Sequence, residues 1–254
     1  MDKPAEIEVL RNKLDEMRPF NQGELKRMIE QFTINHTYNS NAIEGSTITL
    51  RETALIIQEG LTIAGHPIKE HLETIGYKDA FDFVMELSER GRDLTEYDIK
   101  QIHALVLMSD RENAGVYRRL PVQISGAENT PPQPYLVPKK MEELLLSYAQ
   151  SREDVFGRIA KLHLEFESVH PFIDGNGRTG RLIMNLELMK NGYLPVDIKF
   201  TDRAKYYDAF ADYHLTGSPD IMKNMIMDYE LAELSEYVSL AEQAENADSE
   251  EWEP

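Results

Sequence analysis

The stretch from His170 to Arg181 constrains this chain most strongly. It reads His-Pro-Phe-Ile-Asp-Gly-Asn-Gly-Arg-Thr-Gly-Arg, and an apolar run follows it directly. A Gly-Asn-Gly turn that leads into a helix can direct successive backbone N–H groups into a concavity at the helix N-terminus, where the helix dipole also favours negative charge. The stretch therefore predicts a loop, a helix that starts within it, and a site for an anion such as phosphate at that start.

The charged side chains of the stretch indicate a nucleotide. Arg178 and Arg181 are three residues apart in the first turn of the predicted helix, so both should face whatever the turn holds. Because the helix dipole disfavours cations at this end, two arginines there indicate an anionic ligand. Asp174 is placed to hold Mg²⁺ against the same phosphates. The motif begins with His170, and histidine side chains titrate near neutrality, as a general base requires.

Each of these features alone has a simpler interpretation. His-Pro, Asp-Gly and Asn-Gly occur in ordinary turns, and an arginine on a helix is usually a solvated side chain. Their combination at this spacing favours the nucleotide site. The stretch also resembles the full signature of the Fic family, His-x-Phe-x-Asp/Glu-Gly-Asn-Gly-Arg-x-x-Arg, and matches it at every fixed position.

The resemblance implies a helical domain that transfers AMP from ATP to a hydroxyl side chain of a protein. It implies that His170 deprotonates the attacking hydroxyl, that Asp174 binds Mg²⁺, and that Arg181 takes the γ-phosphate. The related Doc kinases lack a complete Gly-Arg-x-x-Arg end, so its presence here favours nucleotidyl transfer over phosphorylation. The nucleotide-binding residues that the motif implies are Asp174, Gly175, Asn176, Gly177, Arg178, Thr179, Gly180 and Arg181.

A second segment, Ser40-Asn41-Ala42-Ile43-Glu44-Gly45, ends a predicted helix. Gly45 suits the left-handed conformation that ends many helices, and by itself Glu44 would be a surface acid beside it. The segment also resembles the inhibitory motif of the same family, Ser/Thr-x-x-x-Glu-Gly/Asn, on the amino side of the catalytic core. The resemblance implies that Ser40, Glu44 and Gly45 belong to an inhibitory helix (about residues 35–45). It also implies that Glu44 pairs with Arg181 and denies it to the γ-phosphate.

Composition argues against several other classes. The chain has 45 acidic and 27 basic residues and a net charge of −18, which repels nucleic acid and anionic membranes, so we expect neither as a partner. It has no cysteine for disulfides or thiolate metal sites, and none of its seven histidines forms a ligand cluster with another. No apolar run approaches the roughly 20 residues of a membrane helix, and the first residues lack the pattern of a signal peptide. We therefore expect a cytoplasmic protein.

Apolar residues at three- and four-residue spacing predict helices through most of the chain. Capping boxes that begin at Thr49 and Thr95 mark two of the helix starts. The helices are expected at about residues 5–18, 23–40, 54–58, 67–90, 96–108, 141–149 and 155–168, then from the motif to 191, at 202–213 and from 218 to 244. In the helix over 67–90, the expected core residues are Ile75, Ala80, Phe83, Val84 and Leu87. We interpret His66, His71 and His103 as ordinary helix and turn residues.

Two further regions resemble nucleotide-contacting parts of the family. Val122-Gln123-Ile124 and Tyr135-Leu136-Val137 are β-prone and flank a loop rich in Gly, Asn and Pro, which predicts a small hairpin. It resembles the family's flap, which aligns the target protein by main-chain pairing. The residues that this resemblance adds to the nucleotide site are Ile124, Ser125, Gly126 and Ala127 of the flap and Tyr206, Tyr207 and His214 nearer the carboxyl end.

The sequence thus predicts an all-α fold, a Fic-type helical bundle with a small β-hairpin flap. Residues 1–94 would hold the amino-terminal helices, 95–217 the catalytic core, and 218–254 a last helix and an acidic tail. The predicted activity is AMP transfer from ATP, with Mg²⁺, to a hydroxyl of a target protein or of the protein itself, inhibited by Glu44. Two alternatives stay open: removal of AMP from a modified protein, and nucleotide sensing without transfer. Relatives often form dimers, which makes a homodimer one option, but the sequence does not fix the oligomeric state.

Overall fold

The computed structural model describes residues 2–17, 19–123 and 130–250, with side chains as far as residue 244. In these ranges the chain forms ten α-helices and two short 3-10 helices, Pro134–Leu136 and Phe200–Asp202. The α-helices are α1 (Lys3–Glu16), α2 (Gln22–Ile43), α3 (Leu50–Glu59), α4 (Ile68–Glu89), α5 (Glu96–Val106), α6 (Val137–Gln150), α7 (Val155–Val169), α8 (Asn176–Lys190), α9 (Arg203–Thr216) and α10 (Asp220–Glu250). None of them is both long and apolar enough to cross a membrane, as far as the described ranges extend.

Capping residues determine where several of these helices begin. Helices α2, α3 and α5 are capped by the side chains of Asn21, Thr49 and Thr95, each of which accepts the backbone N–H of the residue three positions later. The acidic side chain at that later position accepts the backbone N–H of the capping residue in return. Such reciprocal bonds satisfy N–H groups that the helix itself leaves without a partner. The capping boxes predicted at Thr49 and Thr95 are therefore confirmed.

Helix α8 lies at the centre of the fold. It is buried along nearly its whole length and packs against α4, α5 and α7. Leu182 and Leu186 enter one core cluster with residues of α4 to α7. Met184 and Leu188 enter a second cluster with residues of α1, α7, α9 and α10. Because α8 is buried along nearly its whole length, the surrounding helices fix its position and thereby fix the motif at its start.

The second half of α2 carries polar side chains into the core. His36 Nε2 lies 2.9 Å from the Tyr77 hydroxyl and 3.1 Å from Asn185 Nδ2, which tie α2 to α4 and α8. Asn39 Nδ2 donates to Asp197 Oδ2 at 2.8 Å in the connection between α8 and α9. Buried polar groups require partners of this kind, so the bonds hold α2 in one position. The helix runs three residues past its predicted end and delivers its last turn to the start of α8.

The predicted hairpin is wrong where the structure describes it. The described residues contain no strand, and Tyr135-Leu136-Val137, the expected second strand, forms the end of a 3-10 helix and the first residue of α6. The prolines Pro134 and Pro138 explain this result, because proline lacks the N–H that a strand partner needs and is favoured in the first turn of a helix. The first half of the hairpin ends in Ile124, which lies outside the described residues.

The core prediction for α4 holds except at one position. Ala80, Val84 and Leu87 are buried, and Phe83 packs partly buried against them. Ile75 is instead 39% exposed. It lies two residues before the buried Tyr77, and two residues rotate a helix by about 200°, so Ile75 faces the solvent side of α4.

Candidate active site

His170 lies at the sharp turn between α7 and the loop that leads to α8. Its backbone adopts the left-handed conformation, with φ 47° and ψ 62°, and its N–H bonds to the Phe166 carbonyl at 3.0 Å. Among the described residues other than glycine, only His170 has a positive φ. Such a conformation costs free energy and persists only where the surroundings impose it. The carboxylate of Glu167 lies 3.6 Å from the ring Nδ1.

Arg118 is the side chain that holds this turn in place. It is buried, and its guanidinium donates to the carbonyl of His170 at 2.7 Å and to that of Pro132 at 2.5 Å. The backbone N–H of Arg118 also bonds to the Pro171 carbonyl at 2.9 Å, and Nη1 reaches the Leu120 carbonyl at 3.3 Å. Arg118 thus joins the turn at His170 to both ends of the segment where the flap was expected.

The loop from Phe172 to Asn176 is held by two residues inside the protein. Asn176 accepts the Phe172 N–H and donates to the Phe172 carbonyl, both at 2.9 Å. The ring of His103 stacks on that of Phe172, with centroids 3.6 Å apart. Burial lowers the pKa of His103 to about 4, so its ring is neutral near pH 7. Because the side chain of Asn176 is bonded to the backbone of Phe172, only the backbone of Asn176 is available for the predicted phosphate contact.

The tautomer of His103 follows from its two partners. Nδ1 accepts the backbone N–H of Gly115 at 2.9 Å, so the proton resides on Nε2, which donates to the Asp174 carbonyl at 2.9 Å. The interpretation of His103 as an ordinary helix or turn residue is therefore too weak. His103 positions the motif loop from a helix some seventy residues earlier in the chain.

The start of α8 has the features of an anion site. Gly175, which precedes the helix, has φ 77°, a conformation that favours glycine, and no described side chain caps this end. A Cβ on Gly177 would lie only 2.2 Å from Glu44 Oε1. The Glu44 carboxylate therefore lies directly on the first turn of α8, where the N–H groups and the dipole stabilise negative charge.

Arg181 is fully buried and is bound from two helices. Its Nη2 donates to Glu44 Oε1 at 2.7 Å and to the Ser40 carbonyl at 2.9 Å, and its Nε donates to the Ser40 hydroxyl at 2.8 Å. Its Nη1 lies 3.3 Å from the Tyr206 hydroxyl, which is itself 2.8 Å from His163 Nε2. The contact predicted between Glu44 and Arg181 is present, and Ser40 supplies two further bonds to the same guanidinium.

Asp174 belongs to a group of four charged side chains. Its Oδ1 accepts from the Gly175 N–H at 2.6 Å and from Arg178 at 3.3 Å, and its Oδ2 lies 3.3 Å from Lys69 Nζ. Arg178 is buried and pairs with Glu73 at 3.0 Å. Burial alone would raise the pKa of Asp174, but Arg178 and Lys69 hold it below its usual value. The two motif arginines thus have separate carboxylate partners, rather than the shared position expected from their spacing.

The donor set at Asp174 fits a magnesium ion that arrives with a nucleotide. The carboxylate is about half exposed, and within the described residues no group of three or more His, Cys, Asp or Glu side chains could hold a metal by itself. Mg²⁺ typically binds through one or two carboxylates, phosphate oxygens and water. Asp174 would therefore supply one ligand, and the phosphates and water the others.

The other predicted nucleotide residues fall into three groups. Thr179 and Gly180 are buried in α8, and a Cβ on Gly180 would lie 2.7 Å from Glu167 Oε1, so these two residues serve close packing of α8 on α7. Tyr207 is 37% exposed beneath the Arg203 guanidinium, and His214 is exposed in the last turn of α9. The flap residues Ile124, Ser125, Gly126 and Ala127 lie outside the described residues.

The motif region matches a known family. Residues 93–188 match the Fic/DOC family. Over 208 residues the chain is 37% identical to the protein adenylyltransferase Fic of Nematostella vectensis, an alignment that covers 78% of this chain and 48% of that protein. It is 35% identical over 207 residues to the Drosophila melanogaster protein of the same name, covering 79% of this chain and 42% of that one. The chain thus spans about half the length of these relatives or less.

Solved structures show the same architecture. A Fic-domain-containing signalling protein from Bacteroides thetaiotaomicron superposes with a TM-score of 0.85 at 24% identity, covering 94% of this chain and 97% of that one. A fragment of Fic-1 from C. elegans gives a TM-score of 0.82 at 29% identity, covering 93% and 70%. The fold is therefore the all-α Fic type. Residues 93–188 form a domain of the Fic/DOC family, and the chain is a homologue of the Fic protein adenylyltransferases, which are nucleotidyltransferases.

Proposed function

We propose that this protein transfers AMP from MgATP to a hydroxyl side chain of a protein, either a separate target or itself, and that Glu44 inhibits the reaction by pairing with Arg181. The observation that carries the proposal is the arrangement at the start of α8. An uncapped helix N-terminus lies beside the carboxylate of Asp174, is joined to the turn at His170 by a short loop, and is covered by Glu44. Homology to protein adenylyltransferases supports the same reaction.

Each part of the reaction has a residue suited to it. The target hydroxyl oxygen would attack the α-phosphorus, the bond from that phosphorus to the oxygen shared with the β-phosphate would break, and pyrophosphate would leave. His170 would take the hydroxyl proton, and Glu167 would stabilise the resulting imidazolium. Backbone N–H groups at the start of α8 would hold the phosphates. Mg²⁺ bound at Asp174 would neutralise part of the phosphate charge.

The inhibition follows from competition between two anions for one cation. Glu44 occupies Nη2 of Arg181 and also covers Gly177, so a γ-phosphate that reached either group would meet a carboxylate. In the proposed inhibited state ATP binds with its phosphates displaced, and the α-phosphorus is out of line with the attacking hydroxyl. Displacing Glu44 would remove the carboxylate from Arg181, while the bonds from the guanidinium to Ser40 would keep it in place.

The remaining nucleotide contacts are part of the same proposal. The half-exposed ring of Tyr207 is available to a ligand, whereas Tyr206 is buried and acts on Arg181. We assign the adenine side of the site to Tyr207 and His214, and the nucleotide contacts of residues 124–127 stay a prediction from the sequence. Partners and location in the cell remain the predictions made from the sequence.

Labelled ATP tests the type of reaction directly. Glu44→Gly, in which the inhibiting carboxylate is absent, is incubated with ATP carrying the label on either the α- or the γ-phosphate, and protein-bound label is measured. Adenylyl transfer predicts incorporation of the α-label alone, and His170→Ala should reduce it by about 10²-fold or more while ATP binding persists. Incorporation of the γ-label would indicate a kinase. ATP binding without incorporation of either label would indicate a nucleotide sensor.

A further inference from the structure

Lys69, in the first turn of α4, makes an ion pair with the carboxylate that would hold the metal. Its Nζ lies 3.3 Å from Asp174 Oδ2 and 3.6 Å from Glu73 Oε1. The other oxygen of Asp174 is already bonded to the Gly175 N–H and to Arg178. Oδ2 is therefore the oxygen that a metal ion would approach, and it is the one that faces Lys69.

The two cations beside Asp174 differ in how firmly they are held. The Arg178 side chain is 4% exposed and is fixed by Glu73 at 3.0 Å. The Lys69 side chain is 59% exposed and reaches the site on a flexible four-carbon stem. A divalent cation at Oδ2 would repel an ammonium group a few ångströms away. Of the two cations, Lys69 is the one that can move aside.

We propose that Lys69 is the exchangeable counter-ion of Asp174 and sets how strongly nucleotide binding depends on the metal. A divalent cation must displace Lys69 from Oδ2, which weakens binding of the metal complex. When no metal is present, Lys69 neutralises part of the charge of Asp174 and so reduces the repulsion between that carboxylate and the bare nucleotide. This inference rests on the proposed binding of MgATP at the start of α8.

Lys69→Gln should change ATP binding in opposite directions with and without Mg²⁺. MgATP should bind more tightly, because Asp174 is no longer paired with an ammonium group. Metal-free ATP should bind more weakly, because Arg178 is then the only one of the two cations left to offset the repulsion between Asp174 and the phosphates. Exposed ion pairs contribute about 0.2–1 kcal/mol, so the ratio of the ATP dissociation constant in EDTA to that in Mg²⁺ should rise on the order of 5-fold.

Isothermal titration calorimetry measures this ratio without requiring activity. All proteins carry Glu44→Gly so that Arg181 is unpaired, and ATP is titrated in EDTA and in excess Mg²⁺. The matched control is Lys78→Gln, which removes the same charge from the same helix at a lysine paired with Asp82. The proposal predicts a higher ratio for Lys69→Gln and an unchanged ratio for Lys78→Gln. It also predicts no effect of Lys69→Gln when Asp174→Asn is present.

Three outcomes would contradict the inference, and they differ in whether the proposed function is contradicted as well. Equal ratios for the two lysine variants would show that Lys69 does not compete with the metal, while the proposed function would stand. An equal rise in the Asp174→Asn background would show that Lys69 acts on the nucleotide rather than through Asp174. Absence of ATP binding in every protein would remove the proposed function and this inference with it.

Discussion

Arg118 is a positioning residue whose effect should reach the reaction through His170. Its guanidinium is bonded to carbonyl groups of His170, Pro132 and Leu120, and burial lowers its pKa. Arginine provides several donors in a rigid planar arrangement that lysine cannot reproduce. The His170 backbone is in an unfavourable conformation, so loss of these bonds should let the turn relax.

We therefore expect Arg118→Lys to lower kcat for AMP transfer by about 10-fold or more, while the KM for ATP changes little, because the phosphate-binding turn of α8 stays intact. Initial rates with α-labelled ATP give both constants. The control is Arg90→Lys, at an exposed arginine next to the end of α4. A parallel loss of ATP affinity, or an equal effect of Arg90→Lys, would show that Arg118 serves overall stability instead.

At the scale of elements, the connection between α2 and α3 is anchored by α4. The Glu70 carboxylate accepts from the Ser46 hydroxyl at 3.2 Å, the Thr47 N–H at 2.9 Å and the Thr47 hydroxyl at 2.8 Å. Although burial would raise the pKa of Glu70, the bonds from Thr47 lower it, so the carboxylate is charged near pH 7. Ser46 and Thr47 are separated from Glu44 only by Gly45, so the anchor restricts where Glu44 can lie.

Glu70→Ala should loosen this anchor and release part of the inhibition. We expect α-label incorporation to rise roughly 2- to 5-fold, equivalent to about 0.5–1 kcal/mol, with no further gain when it is combined with Glu44→Gly. Glu86→Ala, at an exposed glutamate of the same helix, is the control. Additive gains in the double variant would mean that Glu70 acts independently of Glu44.

The elements also show which features the sequence could predict. Helices, capping boxes and the loop before α8 depend on neighbouring residues, and these predictions agree with the structure apart from their exact ends. Pro134 and Pro138 also indicate the helical start of α6, although the residues between them are β-prone. The roles of Lys69, His103 and Arg118 depend on contacts across 52 to 105 residues, which no local pattern records. Only the family motif indicated that Glu44 and Arg181 would meet.

At the scale of the whole molecule, one buried acid links α10 to the core. Glu230 is fully buried and accepts the Leu194 N–H at 3.1 Å. Burial raises its pKa from 4.5 to about 8, although the bond from Leu194 acts in the opposite direction. A carboxyl whose pKa is raised by folding stabilises the protein at low pH, and that contribution is lost as pH rises through the folded-state value.

Between pH 6.5 and 8.5 we expect the wild type to lose about 2 kcal/mol of stability that Glu230→Gln retains, because the amide cannot ionise and keeps an acceptor for Leu194. For a chain of this size, that difference corresponds to a shift in Tm of roughly 4–8 °C. Thermal unfolding at the two pH values provides the measurement, with the exposed Glu236→Gln as control. Parallel pH dependences of wild type and Glu230→Gln would show that Glu230 is ionised throughout.

The central claim is that Glu44 withholds Arg181 from ATP, and incorporation of α-labelled ATP tests it most directly. Four proteins are compared at equal concentration and Mg²⁺: the wild type, Glu44→Gly, Glu44→Gly with Arg181→Ala, and Glu59→Gly. Glu59 is a matched control, because it is also an acid directly before a glycine of positive φ at a helix end, here that of α3. Thermal unfolding verifies that the double variant, which loses a buried side chain, remains folded.

A charge-assisted bond contributes about 1.5–3 kcal/mol, so Glu44→Gly should raise incorporation on the order of 10- to 10²-fold, whereas Glu59→Gly should not change it. The double variant should show no such gain, because the arginine that Glu44 releases is absent. No gain in Glu44→Gly, or an equal gain in the folded double variant, would contradict the account.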